Sequence, residues 1–306
     1  MALAIAMVAL LFSAGTGGEA KTYKLYFLGG QSNMVGYGYV AELPGSMIHS
    51  VDRVMIFEGS PAPDGDRRGG AGLWAPLQPG YGFGFETDDE YLVLSDRFGP
   101  ELSFGHALAS KLPGESIALV KYARGGSGLA PGVGLGSWHP SDKNGHGINQ
   151  FDHALRTLQN AFSARDIDGD GIRDRLVPAG IIWMQGESDA NNSLAAAEAY
   201  QRNLTDLARS LRVALDVDNL PIVIGKITDS GMADDGSVMD YIAAVQESQA
   251  RFVASDGCAE LVNITDDLNH SDDAWHYDTE GFLELGKAFA EAVIRLENTC
   301  SRDQQD

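Results

Sequence analysis

The chain has 306 residues, 44% of them hydrophobic and 21% charged, the balance of one globular domain with a large core. Its formal net charge of −21 argues against nucleic acid and anionic membrane surfaces, both of which need basic patches. A neutral polysaccharide is indifferent to that charge.

Ala2 to Ala14 is a continuous apolar stretch, followed by Gly15-Thr16-Gly17-Gly18-Glu19-Ala20. Small residues at Gly18 and Ala20 suit cleavage before Lys21, so residues 1–20 read as a secretory signal peptide. The stretch lacks a basic start and is too short for a membrane-spanning helix. Residues 21–306 are then one domain, expected to be secreted or periplasmic.

Beyond Lys21, apolar runs predict strands at Lys24–Leu28, Arg53–Phe57, Ser116–Tyr122, Ala179–Met184, Pro221–Ile227 and Glu260–Ile264. They are continuous rather than alternating, as in strands covered on both faces. Helices are predicted near Glu101–Lys111, Phe151–Ser163, Leu194–Leu215, Tyr241–Ala254 and Phe282–Glu297. In the last, Phe282, Leu285, Phe289, Val293 and Leu296 form an amphipathic stripe. This alternation predicts an α/β fold: a three-layer α/β/α sandwich around a parallel sheet of about five or six strands.

Two long segments read as loops, Glu58 to Pro100 and Leu129 to Asn149. They carry Trp74, Tyr81, Phe83, Phe85, Tyr91 and Trp138. Such aromatics either pack on a sugar ring or cover the rim of the sheet. Trp138, closely following a glycine pair, is the foremost candidate for a substrate cleft.

Ser32 sits in Gly29-Gly30-Gln31-Ser32-Asn33-Met34, directly after the first strand. A serine hydroxyl is a poor nucleophile without an imidazole base, and the imidazole needs a carboxylate to fix its tautomer. Asp273-Ala274-Trp275-His276 offers both groups in one segment. Alone, Gly-Gly-x-Ser is often a turn, and Asp-x-x-His can be a helix-capping arrangement. Two further strand ends supply what is missing. Gly125-Gly126-Ser127 follows the third predicted strand, and Gln185-Gly186-Glu187-Ser188-Asp189 follows the fourth. Backbone N–H groups of Gly125 or Gly126 and the Gln185 amide are donors suited to an oxyanion hole.

Four ordered strings, GGQSNMVG (29–36), ARGGSG (123–128), WMQGESD (183–189) and DAWHYDTEG (273–281), resemble the SGNH hydrolases. More narrowly they resemble carbohydrate esterase family 6 and the sialate O-acetylesterase-like proteins, from about Lys24 to the last helix. The resemblance implies a flavodoxin-like sandwich with Ser32 as nucleophile, His276 as base and Asp273 as its orienter. It implies an oxyanion hole of the Ser32 N–H, a Gly125 or Gly126 N–H and the Gln185 side chain. It also implies removal of acetyl groups from a sugar, commonly xylan or sialic acid, with no cofactor for catalysis. Gln31 and Glu187 are expected beside the substrate, although Glu187 and Asp189 equally suit a hydrogen-bonded rim. A lipase or thioesterase of the same fold is one alternative. A non-catalytic carbohydrate-binding protein is another, but it would be marked by loss of a triad residue, and none is lost.

Three features lie apart from this site. Cys258 and Cys300, the two cysteines, suit one disulfide in an exported protein. His139, His146, His153 and His270 lack the spacing of a helical zinc pair. Asp166-Ile167-Asp168-Gly169-Asp170-Gly171-Ile172-Arg173-Asp174 matches the first part of a calcium loop. Asp166, Asp168, Asp170, Asp174 and the Ile172 carbonyl would hold a structural ion. Val177 stands where the bidentate glutamate belongs, and an acidic turn is the simpler alternative.

Overall fold

The first strand, β1 (Thr22–Gly30), is buried from Leu25 to its end. Six others join it: β2 (Val54–Glu58), β3 (Trp74–Pro76), β4 (Ser116–Ala123), β5 (Arg175–Met184), β6 (Ile222–Gly225) and β7 (Ala259–Val262). This computed structural model describes residues 19–142, 149–234 and 236–300. The expected signal peptide lies outside them except for Glu19 and Ala20, as does His146. The seven strands form one sheet in the order β7-β6-β5-β1-β4-β2-β3. Every neighbouring pair is parallel except β2 with β3.

The antiparallel strand β3 falls in the segment expected to be a loop. It has only three residues and ends in Pro76, too little pattern to be read in sequence. A proline lacks a donor and is tolerated at a sheet edge, where β3 lies. Pro178 inside β5 has a comparable cost. It stands opposite Leu25, where the β1–β5 register shifts.

Side chains of β1 alternate between two helical layers. Tyr26 meets Phe104 of α2 (Pro100–Lys111) edge to face at 5.5 Å. On the other face Trp183, paired with Gly29, bonds its Nε1 to the Tyr200 hydroxyl of α5 (Leu194–Leu215) at 3.3 Å. The remaining helices are α1 (Ser32–Val35), α3 (Gln150–Ser163), α4 (Glu187–Asn192), α6 (Ile242–Ser255) and α7 (Thr279–Cys300). Helix α7 packs against α2, and α5 against α6. The predicted stripe of α7 is the face that is buried. Each such large apolar side chain contributes about 1.5–3 kcal/mol by leaving water.

Cys258, just before β7, is bonded to Cys300 at the end of α7, with the Cα atoms 5.8 Å apart. The chain leaves β1 for one side of the sheet and returns through β5 to the other. The C-terminal ends of β1, β4 and β5 therefore border one crevice, the place where open α/β sheets hold ligands.

Candidate active site

Ser32 is placed by a tight exit from β1. A Cβ on Gly30 would fall 1.9 Å from the Met184 carbonyl oxygen, so only glycine lets β1 end this close to β5. Gln31 N–H then bonds that carbonyl at 2.9 Å, and the single turn α1 follows. Ser32 is its first helical residue, so its N–H has no intrahelical acceptor. The turn is held from below by Lys121 of β4, whose buried ammonium donates to the Val35 carbonyl at 2.9 Å. The same ammonium bonds Glu101 at 3.1 Å and lies 3.4 Å from Glu58. Burial pushes the Glu58 carboxyl up to about 8, against the pull of Lys121.

At the end of β4, Arg124 N–H bonds the Gly30 carbonyl at 3.1 Å, which brings Gly125 and Gly126 beside Ser32. Gly126 takes φ 69°, a left-handed conformation that favours glycine. Among the described residues neither Gly125 nor Gly126 has an acceptor for its N–H.

The other half of the site comes from the segment before α7. Nδ1 of His276 lies 2.6 Å from Oδ2 of Asp273. Oδ1 of Asp273 accepts the Trp275 and His276 N–H groups at 2.9 and 3.0 Å. Ala274 between them takes a left-handed φ of 65°, strained for a residue with a side chain. Burial works to raise the Asp273 carboxyl. The His276 ring and the two backbone donors outweigh it and hold the group at about 2.

Asn33 joins the two halves. Its amide donates to Glu187 at 2.8 Å and to the Trp275 carbonyl at 3.1 Å, and its oxygen accepts the Tyr277 N–H at 3.4 Å. Sequence reasoning missed this clamp although Asn33 lies inside the serine string. A motif names residue types, and the partner segment is more than 240 residues away.

Ser32, His276, Gly125, Gly126 and Gln31 all border one cavity of about 580 Å³. Phe83, Phe85 and Trp275 also line it, so part of the long aromatic loop does reach the cleft. Three expected contacts are placed elsewhere. Trp138 is fully buried, wedged edge-on against Trp183 and Tyr122, with its Nε1 on the Ser127 hydroxyl at 2.9 Å. It is core because its loop folds back under the glycine turn. Glu187 is buried behind Asn33, and that burial raises its pKa. Gln185 has no exposed surface, and its amide donates to Asp189 at 2.7 Å and to Gln31 and the Ser127 carbonyl at 3.2 Å each. Asp189 also accepts the Leu129 and Ala130 N–H groups, while burial pushes its carboxyl up to about 6. The Gln31 oxygen is occupied as well, by Gln185 and the Ser188 N–H at 3.2 Å each.

The acidic loop lies at the opposite end of β5. Carboxylate oxygens of Asp166, Asp168 and Asp174 come within 4.8 Å of one another. Asp170 stands outside that group, bonding Lys21 at 3.1 Å and the Ile172 N–H at 2.9 Å. The Lys21 ammonium also pairs with Asp168. Asp174 accepts the Lys21 and Ile167 N–H groups at 2.9 and 3.1 Å.

A serine at the end of a buried strand, an Asp–His pair and backbone N–H groups without acceptors among the described residues gather around one cavity, an arrangement suited to acyl transfer. The chain belongs to the carbohydrate esterase, sialic acid-specific acetylesterase family, whose model matches residues 22–295. It is a carboxylic ester hydrolase acting on acetylated carbohydrate. A protein named probable carbohydrate esterase in Arabidopsis thaliana is 25% identical over 280 residues, covering 90% of this chain and 92% of that one. An Arabidopsis thaliana protein of known structure superposes with a TM-score of 0.62 at 21% identity, covering 90% of this chain and 99% of that chain. A carbohydrate acetylesterase from Xanthomonas citri superposes at 0.61 and 18% identity, covering 90% of this chain and 57% of that chain. NanS does so at 0.59 and 14%, covering 92% and 99%. These likenesses show a shared fold.

Proposed function

We propose that this is a secreted serine esterase that releases acetate from an O-acetylated sugar through an acetyl-enzyme. The single observation that carries the reading is the 2.6 Å pair between His276 and Asp273 at the rim of the cavity that Ser32 borders. Ser32 Oγ attacks the acetyl carbonyl while His276 Nε2 takes its proton. The C–O bond to the sugar breaks, and His276 returns that proton to the leaving sugar oxygen. Water, deprotonated by the same imidazole, then attacks the acetyl-enzyme and frees acetate and Ser32. Backbone N–H groups of Ser32 and Gly125 or Gly126 receive the developing oxyanion.

The cavity suits a sugar with an acidic group better than neutral xylan. Arg124 lines it, and its buried Nε has no partner among the described residues. A guanidinium left unpaired in a chain of net charge −21 matches a substrate carboxylate. Export is supported by the apolar leader and by the Cys258–Cys300 bond, since disulfides persist in oxidising compartments. Acetate release should be measured from O-acetylated sialic acid, acetylated xylan and a long-chain ester side by side. The acetylated acidic sugar is expected to be cleaved best. Preference for the long-chain ester would overturn the reading in favour of a lipase.

A further inference from the structure

Tyr37 lies just past α1 and belongs to none of the expected catalytic groups. Its ring lies face to face on the His276 imidazole, with centroids 3.7 Å apart and planes 4° from parallel. Phe83 covers the other face of the phenol ring at 4.7 Å and 18°. This stack fixes the ring, and with it the direction of the hydroxyl.

The hydroxyl reaches over Gly125. The point where a Cβ on Gly125 would stand is 3.8 Å from the Tyr37 hydroxyl and 3.6 Å from the Ser32 Cβ. Ser32, Gly125 and the phenol therefore bound one small space, kept open because residue 125 has no side chain. Both Tyr37 and Gly125 line the catalytic cavity. The phenol oxygen has no hydrogen-bond partner among the described residues. Its proton is secure, because burial first and the Asp273 charge second raise its pKa. A protonated, stacked, unpartnered donor thus stands beside Gly125 in the cavity that Ser32 borders. The Gln185 amide, expected there from sequence, is bonded elsewhere.

We propose that Tyr37 is a catalytic residue whose hydroxyl donates a hydrogen bond to the acetyl oxygen as it becomes an oxyanion. It completes a hole whose other donors are the Ser32 and Gly125 N–H groups. No proton is transferred: the phenol keeps its O–H bond, and the bond to the oxyanion is made on attack and lost when the carbonyl re-forms. The proposal rests on the serine-esterase reading above.

Tyr37→Phe removes the hydroxyl and keeps the stack on His276, whereas Tyr37→Leu removes both. With p-nitrophenyl acetate, Tyr37→Phe is expected to lower kcat roughly 10²-fold with KM little changed, the range for losing one oxyanion-hole donor. Its melting temperature should match wild type. Tyr37→Leu should lose at least as much kcat, because the imidazole also loses its ring contact. Wild-type kcat in Tyr37→Phe, or a rise in KM alone, overturns the proposal and leaves the esterase reading standing. Hydrolysis of p-nitrophenyl acetate that survives Ser32→Ala in folded protein overturns both.

Discussion

The Asn33 amide donates to the buried Glu187 carboxylate at 2.8 Å, tying the Ser32 turn to the helix after β5. Asn33→Ala leaves that carboxylate without its side-chain donor, which costs about 1–3 kcal/mol for a buried polar group. It also frees the Trp275 carbonyl and so loosens the His276 segment. We expect both a lower melting temperature and a lower kcat. Asn33→Asp should be worse at neutral pH, since two carboxylates then face each other. Burial raises the Glu187 pKa, so its contribution to stability is full below the unfolded-state value and lost as pH rises through the folded one. The gap between the Asp and Ala variants should therefore narrow on acidification. Melting curves across pH check this, and a gap that widens in acid contradicts it.

Gln185 is expected to act through structure. Its amide bridges Asp189, Gln31 and the Ser127 carbonyl, and the Asp189 carboxylate in turn orders Leu129 and Ala130. Gln185→Ala should lower stability by roughly 1–3 kcal/mol and reduce kcat through displacement of Gln31 and Ser32. Urea unfolding beside steady-state kinetics tests it. Full stability with a pure kcat loss would return Gln185 to the oxyanion hole.

The Cys258–Cys300 bond closes a loop of 42 residues. In the chain-entropy view a loop of that length stabilises by roughly 3–4 kcal/mol. The Cys258→Ser/Cys300→Ser variant should melt well below wild type without loss of kcat at low temperature. Mass spectrometry of unreduced protein should find no free thiol; two would contradict the bond.

The acidic loop gives a prediction about metal. Three carboxylates converge, and among them the half-exposed Lys21 ammonium pairs only with Asp168. Calcium is expected to raise the melting temperature and leave kcat unchanged, because the loop lies at the far end of β5 from Gln185. Removing the competing ammonium with Lys21→Ala should enlarge the shift. If calcium and chelator leave both proteins unaltered, the loop is an acidic turn without an ion.

The fold was legible because the central parallel strands lie between two helical layers and so read as unbroken apolar runs. Helix α7 was legible because its buried stripe keeps helical spacing. The strand Trp74–Pro76 was not, since three residues carry no period and its role comes from the neighbour it pairs with. The Asp273–His276 pair could be read because a carboxylate and an imidazole three residues apart constrain residue type and local spacing together. Trp138 and Gln185 show the limit: a string reveals which groups are present, not which way they face. Trp138 turned inward to fill the core, and Gln185 found three acceptors before it could meet a substrate. Asn33 and Tyr37 act through contacts with a segment some 240 residues on, which local pattern does not encode.

The central claim is that Ser32 and His276 act as one unit on an acetyl ester. It is tested most directly by comparing kcat for Ser32→Ala, His276→Ala and the double variant on p-nitrophenyl acetate, with melting curves to confirm folding. Each single change should lower kcat by several orders of magnitude, and the double change little further, as for residues that work together. Near-wild-type kcat in folded Ser32→Ala, or losses that multiply in the double variant, would contradict the claim.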